Sequence, residues 1–158
     1  MGLSSVLFLA FAIGIITGLR SMTAPAAVSW AARLMWLNLA QTPLAFLGYA
    51  ATPYIFTILA IGELVVDKLP RTPSRKKPGP FIGRVVIGAL CGAALCAGSG
   101  QSALLGAIFG AAGGVAGTLG GYEARTRLVK SLQAPDFVIA LIEDAVAVIG
   151  AFFVVSRF

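Results

Sequence analysis

Glu63 and Asp67 are four residues apart, a spacing that places both carboxylates on one face of a helix about one turn apart. Glu143 and Asp144 are adjacent, about 100° apart around a helix axis, and their own apolar run offers no base before Arg157. Both acidic sites lie in or beside stretches that read as membrane spans. An ionisable side chain at the bilayer centre costs at least about 2.5 kcal/mol, so it is expected to face a partner, water or a cargo. Carboxylate pairs of this kind bind a cation or exchange a proton. Arg20 and Arg125 are the bases expected to neutralise them or to meet an anionic cargo, which makes Glu63, Asp67, Glu143, Asp144, Arg20 and Arg125 the candidate substrate or ion site. The plainer reading is structural: Glu63 and Asp67 end a span and pair with the loop bases Lys68 and Arg71, and Arg20, Arg84 or Arg125 holds Glu143 and Asp144 in an ion pair.

A second group of charges lies in the segment KLPRTPSRKKPGP, where Arg71, Arg75, Lys76, Lys77 and, just beyond, Arg84 are expected to meet lipid headgroups. Basic groups beside acids also occur in lipid-modifying enzymes, but the spacing of a phosphotransferase signature is absent, and a solvated basic loop explains the segment. The sequence has no histidine, which removes the commonest general base and the usual Ser-His and Cys-His nucleophile pairs. Cys91 and Cys96 are five apart with no CxxC pair, so they read as small packing residues rather than metal ligands. No catalytic residue, metal or cofactor is assigned.

The elements that must position these residues are apolar throughout. Of the 158 residues 58% are hydrophobic and 11% charged, and the mean hydropathy is +0.93. A soluble domain carries about 25% charged residues, so the chain reads as an integral membrane protein. The net charge of +6 does not point to nucleic acid, because half of the basic residues fall between Lys68 and Arg84 beside an apolar span. Ala24-Pro25-Ala26 resembles a signal-peptide cleavage site, yet no basic segment precedes the first apolar run, which is expected to remain as a span.

An all-α membrane fold follows, as a single polytopic domain. Spans are expected at about 4–18, 44–66, 81–97, 103–120 and 136–155, with Pro53 as a kink or a late start. Thr23 to Trp36, with Arg33 and two tryptophans, reads as a re-entrant or interfacial helix. The count is five spans, or six if that helix crosses. With five, the positive-inside rule places the basic loop 68–77 in the cytoplasm, the amino terminus inside, and Arg20 on the outer side. The tetrads Ala60-Ile61-Gly62-Glu63 and Ala140-Leu141-Ile142-Glu143, each preceded by a glycine pair (Gly14 with Gly18, Gly113 with Gly117), suggest an inverted repeat of 1–69 and 103–158, linked by loop 68–80 and helix 81–98.

Gly88 and Gly92, and Gly106, Gly110, Gly114 and Gly117, leave smooth helix faces that let backbones approach closely, within the chain or between copies. Five short spans enclose little volume, so a homo-oligomer, most simply a dimer, is expected if a sizeable solute passes.

The segments GLRSMTAPA (18–26), GELVVDKLPRTPSR (62–75), GGVAGTLGGYEART (113–126) and ALIEDAVAV (140–148) resemble a family of small bacterial membrane proteins catalogued only as a domain of unknown function. The resemblance covers nearly the whole chain. It implies a shared fold and a shared use of Arg20, Glu63, Asp67, Arg75, Glu123, Arg125, Glu143 and Asp144, but no activity. The expected function is a small transporter or channel of a bacterial inner membrane, moving a small solute or ion among membrane lipids. The alternatives are an enzyme or carrier for lipid or polyprenyl phosphate, and a structural membrane subunit.

Overall fold

A computed structural model describes residues 1–67, 77–133 and 135–158. The described residues form six α-helices and one short 3-10 turn. They are α1 (Leu3–Leu19), α2 (Thr23–Arg33), the 3-10 turn Ala45–Gly48, α3 (Thr52–Val66), α4 (Pro78–Gly98), α5 (Ala103–Leu132) and α6 (Asp136–Val155). Three of them, α4, α5 and α6, are long and apolar enough to cross a membrane, and α1 and α3 are shorter apolar helices. This is an all-helical membrane protein. Lipid is the natural solvent for its many exposed side chains of the Phe8, Ile58, Leu104 and Ile149 kind.

The local sequence sets each boundary. Pro53 gives α3 a late start rather than a kink, because proline tolerates the first turn, where its missing N–H has no intrahelical partner. Pro78 opens α4 in the same way, three residues earlier than the apolar run alone suggests. α5 runs twelve residues past Gly120, where the apolar span expected at 103–120 ends. Glu, Ala, Arg, Leu and Lys are strong helix formers, and Glu123 pairs with Arg127 one turn on at 2.8 Å. Ser102 caps the start of α5, its hydroxyl accepting from the Leu105 N–H at 3.4 Å.

Helix α2 decides the topology. It ends at Arg33, where Met35 takes a left-handed φ of 63°, so Trp36 lies beyond the helix. Its start meets the end of α3 through Met22 and Glu63, and its Trp30 Nε1 donates to Thr57 Oγ1 at 3.0 Å. The pair is therefore antiparallel. Residues 34–51 turn the chain around with Leu37, Leu39 and Leu47 buried in the main core, which keeps irregular backbone against protein.

Consequently the six helices alternate in direction, and Arg20 lies at the same end as Asp67, not at the opposite end as the five-span reading required. The repeat of 1–69 against 103–158 also fails as drawn. Gly14 meets Gly110 and Gly113, and Gly18 meets Gly114, Gly117 and Thr118, so α1 and α5 run parallel. An inverted repeat that pairs them needs opposite directions. The directions that do oppose are those of the triplets α1–α3 and α4–α6.

Backbone contact at glycines holds the centre together. A β-carbon on Gly92 would collide with the Gly106 carbonyl, and one on Gly110 with the Gly88 carbonyl. The small-residue faces of α4 and α5 thus meet each other and α1 inside one chain. Cys91 is buried in the main core and Cys96 in a small adjoining cluster with Val6 and Ala10, both as free thiols.

Candidate functional site

The turn between α1 and α2 is the hub of the site. α1 stops at Leu19, leaving its last carbonyls without helical partners, and α2 begins at Thr23 with N–H groups equally unsatisfied. Arg84 of α4 answers the first need. Its Nη1 donates to the Gly18 carbonyl at 2.6 Å and to the Leu19 carbonyl at 3.2 Å. Glu63 answers the second. Its Oε1 accepts from the Ser21 N–H and Oγ, each at 2.8 Å, and its Oε2 accepts from the Met22 N–H at 2.8 Å. A carboxylate at a helix start and a guanidinium at a helix end both complement the helix dipole. The two groups also face each other, with Arg84 Nη2 at 3.5 Å from Glu63 Oε1.

Arg20 forms the second layer. It is the largest fully buried side chain among the described residues, and its guanidinium reaches Asp67 at the end of α3 and, at 2.5 Å, Asp144 of α6. A planar fork can span two carboxylates on different helices, which an ammonium point charge cannot do equally well. Arg125 builds the third layer near the end of α5. It holds Asp136 in a two-pronged contact at 2.9 and 2.6 Å, and its Nη1 lies 3.6 Å from Glu143.

All six residues expected to form the polar site therefore gather at one end of the bundle, at the close of α1, α3 and α5 and the opening of α6. The cluster is recessed rather than sealed. The Asp67 side chain is 15% exposed and that of Asp144 11%, whereas Arg20 shows none of its surface. Among the described residues no group of three His, Cys, Asp or Glu side chains is gathered as a metal ion would require.

Several assignments change. Arg84, expected at lipid headgroups, turns inward and is 4% exposed, because the carbonyls of α1 and the Glu63 carboxylate offer it charged and polar partners. Lys77 stays exposed at the start of α4. Arg71, Arg75 and Lys76 lie outside the described residues. Glu123 is not in the cluster and pairs with Arg127 on the exposed side of α5. Sequence reasoning missed Ser21 and Met22, whose contribution is largely backbone and leaves no residue-type signal. It also passed over Asp136, which read only as the start of a span.

A groove of about 450 Å³ adjoins the cluster, bounded by α2, α3 and α6 and lined almost wholly by apolar side chains. It begins at Thr23, one residue beyond the Met22 N–H that Glu63 holds, and runs toward Trp36 and Phe152.

No curated protein and no solved structure matches the chain. The model of one family matches residues 7–156, nearly the whole length, and the chain belongs to that family, described as a domain of unknown function (DUF4126).

Proposed function

We propose that the protein is a small transporter or channel of a bacterial inner membrane, with the basic loop 68–77 on the cytoplasmic side and the arginine–carboxylate cluster as a charged gate at that side. One observation carries the reading: ion pairs join the two opposed triplets at a single end. Arg20 of α1 pairs with Asp144 of α6, and Arg84 of α4 faces Glu63 of α3. Opposed halves closed by a polar contact, with a short helix starting at that contact, follow the plan of many secondary transporters. Separating Arg20 from Asp144 and Arg84 from Glu63 frees charges that a small ion or solute can compensate in passing. In this reading all six helices traverse the membrane, α2 incompletely, and both termini face the periplasm. Lys77 and the Arg125 to Lys130 stretch share the cytoplasmic end with Arg20, in accord with the positive-inside rule. A single protomer encloses little volume, so the working unit is a homodimer.

The test is flux of protons and monovalent ions into dye-loaded liposomes, comparing the native chain with Glu63→Gln and Asp144→Asn. A gate predicts variants with native helix content and a flux changed by about tenfold, the effect of roughly 1.4 kcal/mol on a barrier. Identical flux from native protein, both variants and protein-free liposomes would leave the cluster as a structural ion-pair network.

A further inference from the structure

We infer that the outward face of α3 meets phospholipids whose headgroups descend beside it, so that the leaflet at the charged end is thinned there by about 10 Å. Backbone contacts fix the levels of the helix ends. A β-carbon on Gly18, next to last in α1, would touch Gly114, Gly117 and Thr118 of α5, and one on Gly114 would touch the Arg84 carbonyl. The close of α1 is thus level with Arg84, six residues after Pro78, and α4 projects about 9 Å beyond it. Arg20 joins Asp67, the cap of α3, to Asp144 of α6. Asp144 comes eight residues after Asp136, so α6 projects about 12 Å beyond the close of α3. A β-carbon on Gly150 would lie 3.3 Å from Ile16 Cδ1, which sets the same register between α6 and α1. α1 and α3 therefore stop at the foot of a step, and the charged cluster lies at that foot.

The chemistry of the α3 face says what covers it. Ile55, Ile58, Ile61 and Val65 are exposed along it, between Tyr54, a residue type favoured at the membrane–water interface, and Asp67. From Tyr54 to Asp67 the helix rises about 20 Å, whereas α6 with its 20 residues rises about 30 Å, the full hydrocarbon thickness of a bilayer. A flat bilayer that fits α6 would leave the end of α3 about 10 Å under its surface. A short span is accommodated by snorkelling side chains, by association or by thinning. Asp67 cannot snorkel, because it is short and held by Arg20. Close association in membranes uses small residues four apart, but Gly62 has Ile58 and Val66 at that spacing. Thinning remains, and it brings water and headgroups to the level of the cluster. The inference holds whether or not the cluster gates a solute.

Val65 on α3 and Val138 on α6 test the step, being 59% and 42% exposed. Val138 comes six residues before Asp144 and Val65 two before Asp67, in helices of opposite direction, so Val65 lies about 12 Å further from the charged end. The full-length variants Val65→Cys and Val138→Cys are spin-labelled in dioleoylphosphatidylcholine vesicles. Collisions with oxygen, which concentrates in hydrocarbon, and with a water-soluble nickel chelate give the depth of each label below the phosphates. Ile58→Cys, further along the same face of α3, calibrates the hydrocarbon interior, and the unsubstituted chain, whose Cys91 and Cys96 are buried, gives the background. The expected result is one depth for Val65 and Val138 despite their separation along the helices. A Val65 label deeper than Val138 by the full 12 Å or so means a flat bilayer and overturns the inference. Few collisions with either reagent at Val65 also overturn it, because a second copy of the chain then covers α3.

Discussion

Arg84 reaches across to the backbone carbonyl of Gly18, 66 residues earlier in the chain, at 2.6 Å, so a side chain in the second turn of α4 finishes helix α1. The contact is possible because α1 and α4 both pack closely on the small-residue faces of α5. A β-carbon on Gly18 would press within 2.6 Å of the Gly114 carbonyl, and one on Gly114 within 3.1 Å of the Arg84 carbonyl. Glycine packing and charge placement are therefore one design: the smooth faces bring helix ends together, and the ends supply the dipoles that the charges complement.

Replacing Arg84 by Met should destabilise the fold by about 3 to 5 kcal/mol, the usual consequence of removing one partner from a buried charged contact. The Gly18 and Leu19 carbonyls lose their donor, and Glu63 loses the base facing it. Unfolding in mixed micelles of increasing SDS content measures the loss. An effect as small as that of an exposed residue would show that water replaces the guanidinium at no cost.

Arg20 and Asp144 should be energetically coupled. A double-mutant cycle with Arg20→Met and Asp144→Asn is expected to give an interaction of about 1 to 3 kcal/mol, the range for residues in one buried network. Arg20→Lys should also weaken the fold, because its single ammonium cannot bridge Asp67 and Asp144 together. The same SDS titration gives all four corners of the cycle, and additive effects would mean that the 2.5 Å contact carries no net attraction.

Much of this site was legible in the sequence, and the reason is cost. Glu63, Asp67, Glu143, Asp144, Arg20 and Arg125 stand out because a charge in an apolar run demands compensation, and all six meet in space. The bounds of α6 were legible too, since Pro135 and Ser156 enclose a run that is apolar apart from Asp136, Glu143 and Asp144. Helix direction was not. The residues of α2 combine tryptophans and arginine with small apolar side chains, and composition alone does not separate a helix that turns back at the surface from one that runs antiparallel to α3. That single ambiguity reversed the sense of α1 relative to α5. Arg84 was misplaced for a related reason: its neighbours in sequence are basic loop residues, whereas its partners, Gly18 and Glu63, are distant in the chain.

Glu123 offers a control inside the same helix. Its pairing with Arg127 is an i, i+4 contact in which the two side chains are 52% and 78% exposed, and such pairs contribute about 0.3 to 0.5 kcal/mol. Glu123→Ala should change stability by no more than that and should leave flux unchanged. A large loss in either assay would place Glu123 in a contact beyond its ion pair with Arg127.

Glycines of α3, α4 and α5 should divide by sign when replaced with alanine. Gly110→Ala puts a methyl group onto the Gly88 carbonyl, and Gly92→Ala onto that of Gly106, both backbone atoms that cannot swing aside. Forcing such overlaps usually costs about 1 to 3 kcal/mol, and here it separates α4 from α5. Gly62 and Gly120 are also helical, yet nothing lies within 4 Å of a β-carbon built on either. At those positions alanine removes backbone freedom from the unfolded chain and favours the helix by about 0.5 to 1 kcal/mol. SDS unfolding of the four variants should therefore show two losses and two gains. Four losses would mean that the open glycines are covered by another surface, a second copy of the chain being the first to examine, and four neutral results would mean that α4 and α5 can slide apart without penalty.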